Sequence, residues 1–189
     1  MALNPNRNLR RQHLERRRAL DDGYRSAASR EIARKVIRSR DFARARCIAA
    51  YFSLIDEVDV DLVIRAAWRS GKTVCAPCIG PRRSMSFRRI GPHTPMVRNA
   101  LGIREPARSP AVSAHEIDLV IVPLVAFDAA MHRIGMGGGY YDRYFAFSRY
   151  RHKSLPPRLL GVAFACQRAS RITAAPWDVT LSRVVCDDD

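Results

Sequence analysis

Asp118-Leu119-Val120-Ile121-Val122-Pro123 is the stretch whose reading decides the fold. Its four central residues are all apolar and three are β-branched, so no face is left for water. A strand of this kind lies inside a parallel sheet with both faces covered, whereas a half-exposed strand alternates. Working outward, Cys47 to Phe52, Thr73 to Ala76, Leu159 to Ala165 and Leu181 to Val185 read as further short strands. Helical spacing appears between them. Ala28, Ile32 and Val36 share one face of a helix over 25–40, after a first helix over 7–20 and the break Asp21-Asp22-Gly23. Val60, Val63, Ile64 and Ala67 do the same in a helix capped by Asp59 and ended by Gly71. Ser84 to Ile90 reads as a peripheral strand, and residues 91–112, rich in Pro and Gly, as mostly loop. Strand and helix in alternation predict a three-layer α/β/α domain with a mainly parallel, Rossmann-like sheet.

Length and composition bound the rest. A chain of 189 residues, 47 % apolar, is enough for one domain with a proper core, here taken as 1–189 with basic helices over 1–45 packed on it. No apolar run reaches membrane-spanning length. No apolar segment follows the charged N-terminus, so no secretory signal is read there and the cytosol is the expected compartment. The formal charge of +15 is carried mostly by arginine, and residues 1–46 hold 14 basic against 5 acidic side chains. Such a surface attracts anions, but it has no recognisable nucleic-acid module and no aromatic interleaving, so no specific nucleic-acid partner is expected. Five cysteines do not suggest a disulfide framework. Cys75-Ala-Pro-Cys78 has redox spacing, yet Ile79-Gly80-Pro81 after it breaks a helix, so a structural pair at a strand end is the reading. The acidic end, Asp187 to Asp189, reads as a frayed tail.

Arg133-Ile-Gly-Met-Gly-Gly-Gly-Tyr-Tyr-Asp-Arg143 is the stretch with chemistry in it. It is not a dinucleotide fingerprint, because position 140 is Tyr, and not a P-loop, because it has no lysine. Gly135, Gly137, Gly138 and Gly139 lie between a strand and a helix, where backbone N–H groups can converge on an anion. Arg133 and Arg143 flank them, so a phosphate chain is the favoured guest. Asp142 would either favour the first turn of its helix or hold a magnesium ion that bridges to phosphates; the residues alone leave both open. Tyr140 and Tyr141 are core or ligand-facing. Glu57, after the first strand, could accept from an N–H-rich ring or be a surface acid, and Asp178, in Trp177-Asp178, is a second metal ligand or a cap.

Taken together, Leu9-Arg10 through Arg16-Arg17-Arg18-Ala19-Leu20, Phe52-Ser53 with Asp56-Glu57, Pro123-Leu-Val-Ala-Phe-Asp128, the Arg133–Arg143 block and Trp177-Asp178 resemble the 5-formyltetrahydrofolate cyclo-ligase family in order and spacing. The resemblance implies an ATP- and magnesium-dependent ring closure of 5-formyltetrahydrofolate, with or without a polyglutamate tail, to 5,10-methenyltetrahydrofolate by a cytoplasmic monomer. It implies ATP held by Arg7, Arg10, Arg11, Arg133, Gly135, Met136, Gly137, Gly138, Gly139, Tyr140, Tyr141 and Asp142. It implies folate held by Phe52, Leu54, Glu57, the glycines 137–139, Tyr140 and Tyr141, with Ile103 and Glu105 as neighbours. Arg133, Tyr141 and Asp142 are the implied catalytic residues, and Asp142 and Asp178 the metal ligands. One departure stands out. Where the family has a basic residue four positions before Arg10, this chain has Asn6, with Arg7 beside it as the expected stand-in. A relative that binds folate or nucleotide without closing the ring is the alternative reading.

Overall fold

The computed structural model describes residues 6–100, 102–150 and 157–188. Helices α1 (Arg7–Arg18), α2 (Asp22–Arg38) and α3 (Arg40–Arg44) precede strand β1 (Cys47–Ala49), helix α4 (Asp61–Arg69) and strand β2 (Thr73–Ile79). Strands β3 (Met85–Ile90), β4 (Met96–Arg98), β5 (Arg104–Pro106) and β6 (Ala111–Val112) follow. Then come β7 (Leu119–Val122), β8 (Ala126–Phe127), β9 (Arg133–Ile134), α5 (Tyr140–Tyr144), β10 (Arg158–Ala163) and β11 (Arg183–Cys186). The main sheet has the order β11-β10-β7-β1-β2-β3-β6. β11, β10, β7, β1 and β2 are parallel, while β3 and β6 add an antiparallel edge. Among the five parallel strands the order reverses between β1 and β7. That reversal is the switch point of a doubly wound sheet, where a crevice opens beyond the strand ends.

The all-apolar strand behaves as its pattern requires. Leu119 and Ile121 face one core with Ile48, Leu160 and Val162, and Val120 and Val122 face the other with Cys47, Ala49 and Leu159. On the first face α2 contributes Ile32 and Val36, and α4 contributes Val63, Ile64 and Ala67, all buried. Burying each of these Ile and Val side chains stabilises the fold by roughly 1.5–3 kcal/mol before entropy is counted. Asp21 caps α2 by accepting from the Tyr24 N–H at 2.8 Å, so the Asp-Asp-Gly break is a helix start. Gly71 ends the turn after α4 in the left-handed region, at φ +68°. Asp118 joins β1 to β7 by accepting from the N–H groups of Arg46 and Cys47.

Three expectations change. Among the described residues the helical cover of the second face is the five-residue α5 and short 3-10 segments, with Tyr144, Phe145 and Phe147 packed on the sheet, so this layer is thin there. Residues 91–112 hold a β4–β5 hairpin and the edge strand β6 as well as loop. Asp187 and Asp188 are tied down: Asp187 accepts from the Tyr24 hydroxyl and the Ala165 N–H, and Asp188 pairs with Arg168. The expectation for Asp189 lies outside the described residues. Cys75 and Cys78 both lie within β2, and the cysteines are free thiols.

Candidate active site

A crevice of about 930 Å³ opens at the switch point. The segments that leave β1 and β7 supply one side: Tyr51, Phe52, Leu54 and Glu57 from the first, Pro123 and Leu124 from the second. The glycine stretch and α5 supply the other, and Ile103 and Glu105 close a third side from β5 and its approach. The two substrate-facing constellations expected from sequence therefore meet in one space.

In the glycine wall, Gly137 has φ +100° and Gly139 φ +63°, conformations that L side chains rarely adopt. A side chain at Gly137 would also meet the Arg10 guanidinium, 3.8 Å from where its Cβ would stand. Arg10 Nε donates to the Gly135 carbonyl at 2.9 Å, which lays its remaining nitrogens along the wall. Arg143 donates to the carbonyls of Gly138 and Arg83, at 2.7 and 2.9 Å, and stacks over the Tyr140 ring. Both arginines bond carbonyls, so both keep their charge for an anion. Because α5 has five residues, its dipole adds little and the arginines supply the field.

Arg133 differs. Its side chain is 6 % exposed, and its guanidinium is committed to Asp142 Oδ1 at 2.7 Å and to the Val179 carbonyl. Asp142 Oδ1 also accepts from the Val179 N–H at 3.1 Å. Among the described residues no hydrogen bond engages Asp142 Oδ2. Asp178 closes a turn by accepting from the Ala175 N–H at 2.8 Å through Oδ2, and it too lines the crevice. No group of three His, Cys, Asp or Glu that could hold a metal occurs among the described residues. The chemistry of these two carboxylates fits a magnesium ion whose remaining ligands are phosphate oxygens and water.

Glu57 is no surface acid. Its side chain is 9 % exposed; Oε2 accepts from the Leu54 N–H at 3.0 Å, and Oε1 stands 3.9 Å from Arg17. Burial raises its pKa above the usual carboxylate range, against the opposing pull of the Leu54 N–H and the Arg17 charge. Tyr141 lies within the same field: burial first, and the Glu57 charge second, hold its phenol well above the ordinary value. Phe52 takes the Arg104 guanidinium on its ring at 5.0 Å. Glu105 accepts from the Ile79 N–H and from Asn99. Met136 and Trp177 stand exposed among the lining residues.

Helix α1 organises these walls. Asn6, Arg10, His13 and Arg17 fall on one stripe at helical spacing. Asn6 exchanges hydrogen bonds with the backbone of Thr173, and His13 Nδ1 bonds the Cys166 carbonyl at 2.9 Å. Arg10 reaches Gly135, while Arg17, 1 % exposed, reaches Asp56 and the Leu124 carbonyl. Arg7 and Arg11, turned off that stripe, are exposed and do not line the crevice, and Arg11 faces Glu15 across solvent. Arg7, the expected stand-in for a basic residue at position 6, thus lies outside the crevice lining in this structure. Sequence reasoning passed over Arg17, Arg83 and Arg149; the 6-10-13-17 spacing was the available clue to Arg17.

These features define a class: a doubly wound α/β protein with an arginine-fielded, glycine-walled crevice for an anionic ligand at its switch point. Residues 3–187 match the 5-formyltetrahydrofolate cyclo-ligase family, and the chain belongs to that family. It is 37 % identical over 142 residues to the 5-formyltetrahydrofolate cyclo-ligase of Haemophilus influenzae, covering 73 % of this chain and 74 % of that one. With the enzyme of the same name from Escherichia coli it shares 31 % identity over 175 residues, 90 % of this chain and 94 % of the other. Its fold matches the Aquifex aeolicus 5,10-methenyltetrahydrofolate synthetase with a TM-score of 0.81 at 26 % identity, over 96 % of this chain and 89 % of that one.

Proposed function

We propose that this chain closes 5-formyltetrahydrofolate to 5,10-methenyltetrahydrofolate at the expense of ATP. The observation that carries the reading is the meeting of Glu57 and the glycine wall across one crevice. In this reading the γ-phosphoryl group passes to the formyl oxygen and ADP departs. N10 then attacks the activated carbon and loses its proton, and the C–O bond breaks to release phosphate. No protein nucleophile is needed, because the task is positioning and charge neutralisation.

Each residue has a part in that task. Glu57, held in place by Leu54 and Arg17, accepts from the N–H groups of the pterin, between the apolar walls of Phe52 and Leu54. Arg10, Arg143 and the backbone of residues 135–139 take the phosphates, and Tyr140 and Tyr141 bound the space between the substrates. Arg133 acts by fixing Asp142. Asp142 and Asp178 would hold the magnesium, which when bound offsets phosphate charge. Five free cysteines fit a reducing compartment such as the cytosol, and Arg83 and Arg149 at the crevice suit the carboxylates of a glutamate tail. A monomer is sufficient for this reading, since every group named comes from one chain.

The test is the absorbance of the methenyl product, with folate, ATP and magnesium omitted in turn. A rise that needs all three supports the reading. A flat trace from folded protein that still binds 5-formyltetrahydrofolate would replace it with a binding protein that lacks turnover.

A further inference from the structure

The loop that presents Phe52, Leu54 and Glu57 to the crevice holds two adjacent acids, Asp56 and Glu57, and one buried cation reaches both. Arg17 donates to Asp56 Oδ2 through Nε at 3.2 Å and through its terminal nitrogen at 2.9 Å. Its other terminal nitrogen donates to the Leu124 carbonyl at 3.3 Å and stands 3.9 Å from Glu57 Oε1. The last distance is too long for a hydrogen bond but short for a charge contact between two buried side chains. Arg17 therefore joins the segment after β1 to the segment after β7, across the switch point itself. We propose that Arg17 is a positioning residue for folate: from α1, its guanidinium fixes the loop that carries Glu57 and aims that carboxylate into the crevice.

The groups around Glu57 show why one cation matters. Arg17 faces it from α1, Asp56 from its own loop, Tyr51 from the end of β1 and Tyr141 from α5. Two of these are neutral phenols and one is a like charge, so Arg17 is the cation among them. Arg18 also approaches Asp56, at 3.7 Å, but its side chain is 65 % exposed and its charge is screened. Without Arg17 two neighbouring carboxylates would stay near each other with their main counter-charge gone. Glu57 would then take up a proton or turn toward water, and either change removes an ionised acceptor from the crevice. The phosphate wall has its own anchors in Arg10 and Arg143 and does not depend on Arg17.

The inference rests on the functional reading above, and the two fail differently. In the absorbance assay, Arg17→Met should raise the folate KM by about ten- to a hundredfold, the effect of losing a charge-assisted contact, and leave the ATP KM within about twofold. Arg17→Lys keeps the charge without the forked geometry and should fall between Arg17→Met and the unaltered chain; it also serves if the Met variant does not fold. If Arg17 acts through Glu57, the double variant Arg17→Met/Glu57→Gln should have the folate KM of Glu57→Gln alone. Parallel losses for both substrates, or multiplicative effects in the double variant, would overturn the positioning role. Absence of turnover in the unaltered chain would instead overturn the functional reading.

Discussion

Changing Asp142 to Asn separates the anchoring bonds seen in the structure from the metal role proposed above for the same carboxylate. Oδ1 is an anchor: it accepts from Arg133 at 2.7 Å and from the Val179 N–H at 3.1 Å. Oδ2 is the oxygen proposed for magnesium. Asparagine keeps an oxygen for both anchoring bonds, but the bond from Val179 falls from a charge-assisted one of about 1.5–3 kcal/mol to a neutral one of about 0.5–1.5 kcal/mol, and the one from Arg133 ceases to be an ion pair. Arg133 retains its bond to the Val179 carbonyl, so the loss of stability should be about 1–2 kcal/mol, or a Tm lower by about 2–8 °C in a domain of this size. Asp142→Ala removes the bonds as well and leaves a guanidinium that is 6 % exposed without its partner; with Asp142 itself 24 % exposed, about 3 kcal/mol is expected. The metal job is read separately, from kcat/KM for magnesium-ATP at saturating folate. It should fall about ten- to a hundredfold in Asp142→Asn, with partial recovery at high magnesium. If the Tm falls as calculated while kcat/KM for ATP stays within twofold, Asp142 is an anchor only and its role as a metal ligand is refuted.

Gly161→Ala tests the packing under the sheet. A Cβ there would lie 2.7 Å from Leu181 Cδ1 and 2.8 Å from Leu124 Cδ2, both buried, so thermal denaturation should show a loss of about 1–3 kcal/mol. His13 predicts a pH effect. Burial lowers its pKa below the ordinary 6.5, outweighing the bond to the Cys166 carbonyl. Its stabilising contribution is present above 6.5 and is lost as pH falls from there through the folded-state pKa, because the unfolded chain takes up the proton first. Denaturant titrations should show the difference between the unaltered chain and His13→Gln shrinking below pH 6.5; a difference independent of pH would exclude it.

The architecture was legible where burial leaves a mark on residue type. The run from Leu119 to Val122 could only be a strand covered on both faces, and the neighbouring apolar stripes placed α2 and α4. The β4–β5 hairpin left no such mark: its strands have three residues each, Val97 and Arg98 face solvent, and prolines surround it. The crevice was half legible. Glycines and flanking arginines announced an anion wall, but composition could not show that Arg133 is neutralised by Asp142 while Arg10 and Arg143 are not. Arg16-Arg17-Arg18 looks like a solvated face, and only the turn of the helix sends the middle one inward to Asp56. The anchoring of Asp187 and Asp188 was illegible for a similar reason: their partners, Tyr24, Ala165 and Arg168, are distant in sequence.

The stripe on α1 has a consequence for how the chain matures. Its partners Gly135, Cys166 and Thr173 lie 125, 153 and 167 residues downstream of the groups that bind them. Synthesis delivers the N-terminus first, yet α1 can find these partners only after nearly the whole polypeptide has been made. The sheet can begin to assemble from β1 and β2 while α1 waits, but contacts of such long sequence separation form late. A nascent or C-terminally shortened product would carry the glycine wall and Glu57 with α1 joined to them through Arg10 and Arg17, and would still lack the anchors at Cys166 and Thr173 that fix the far side of the strap.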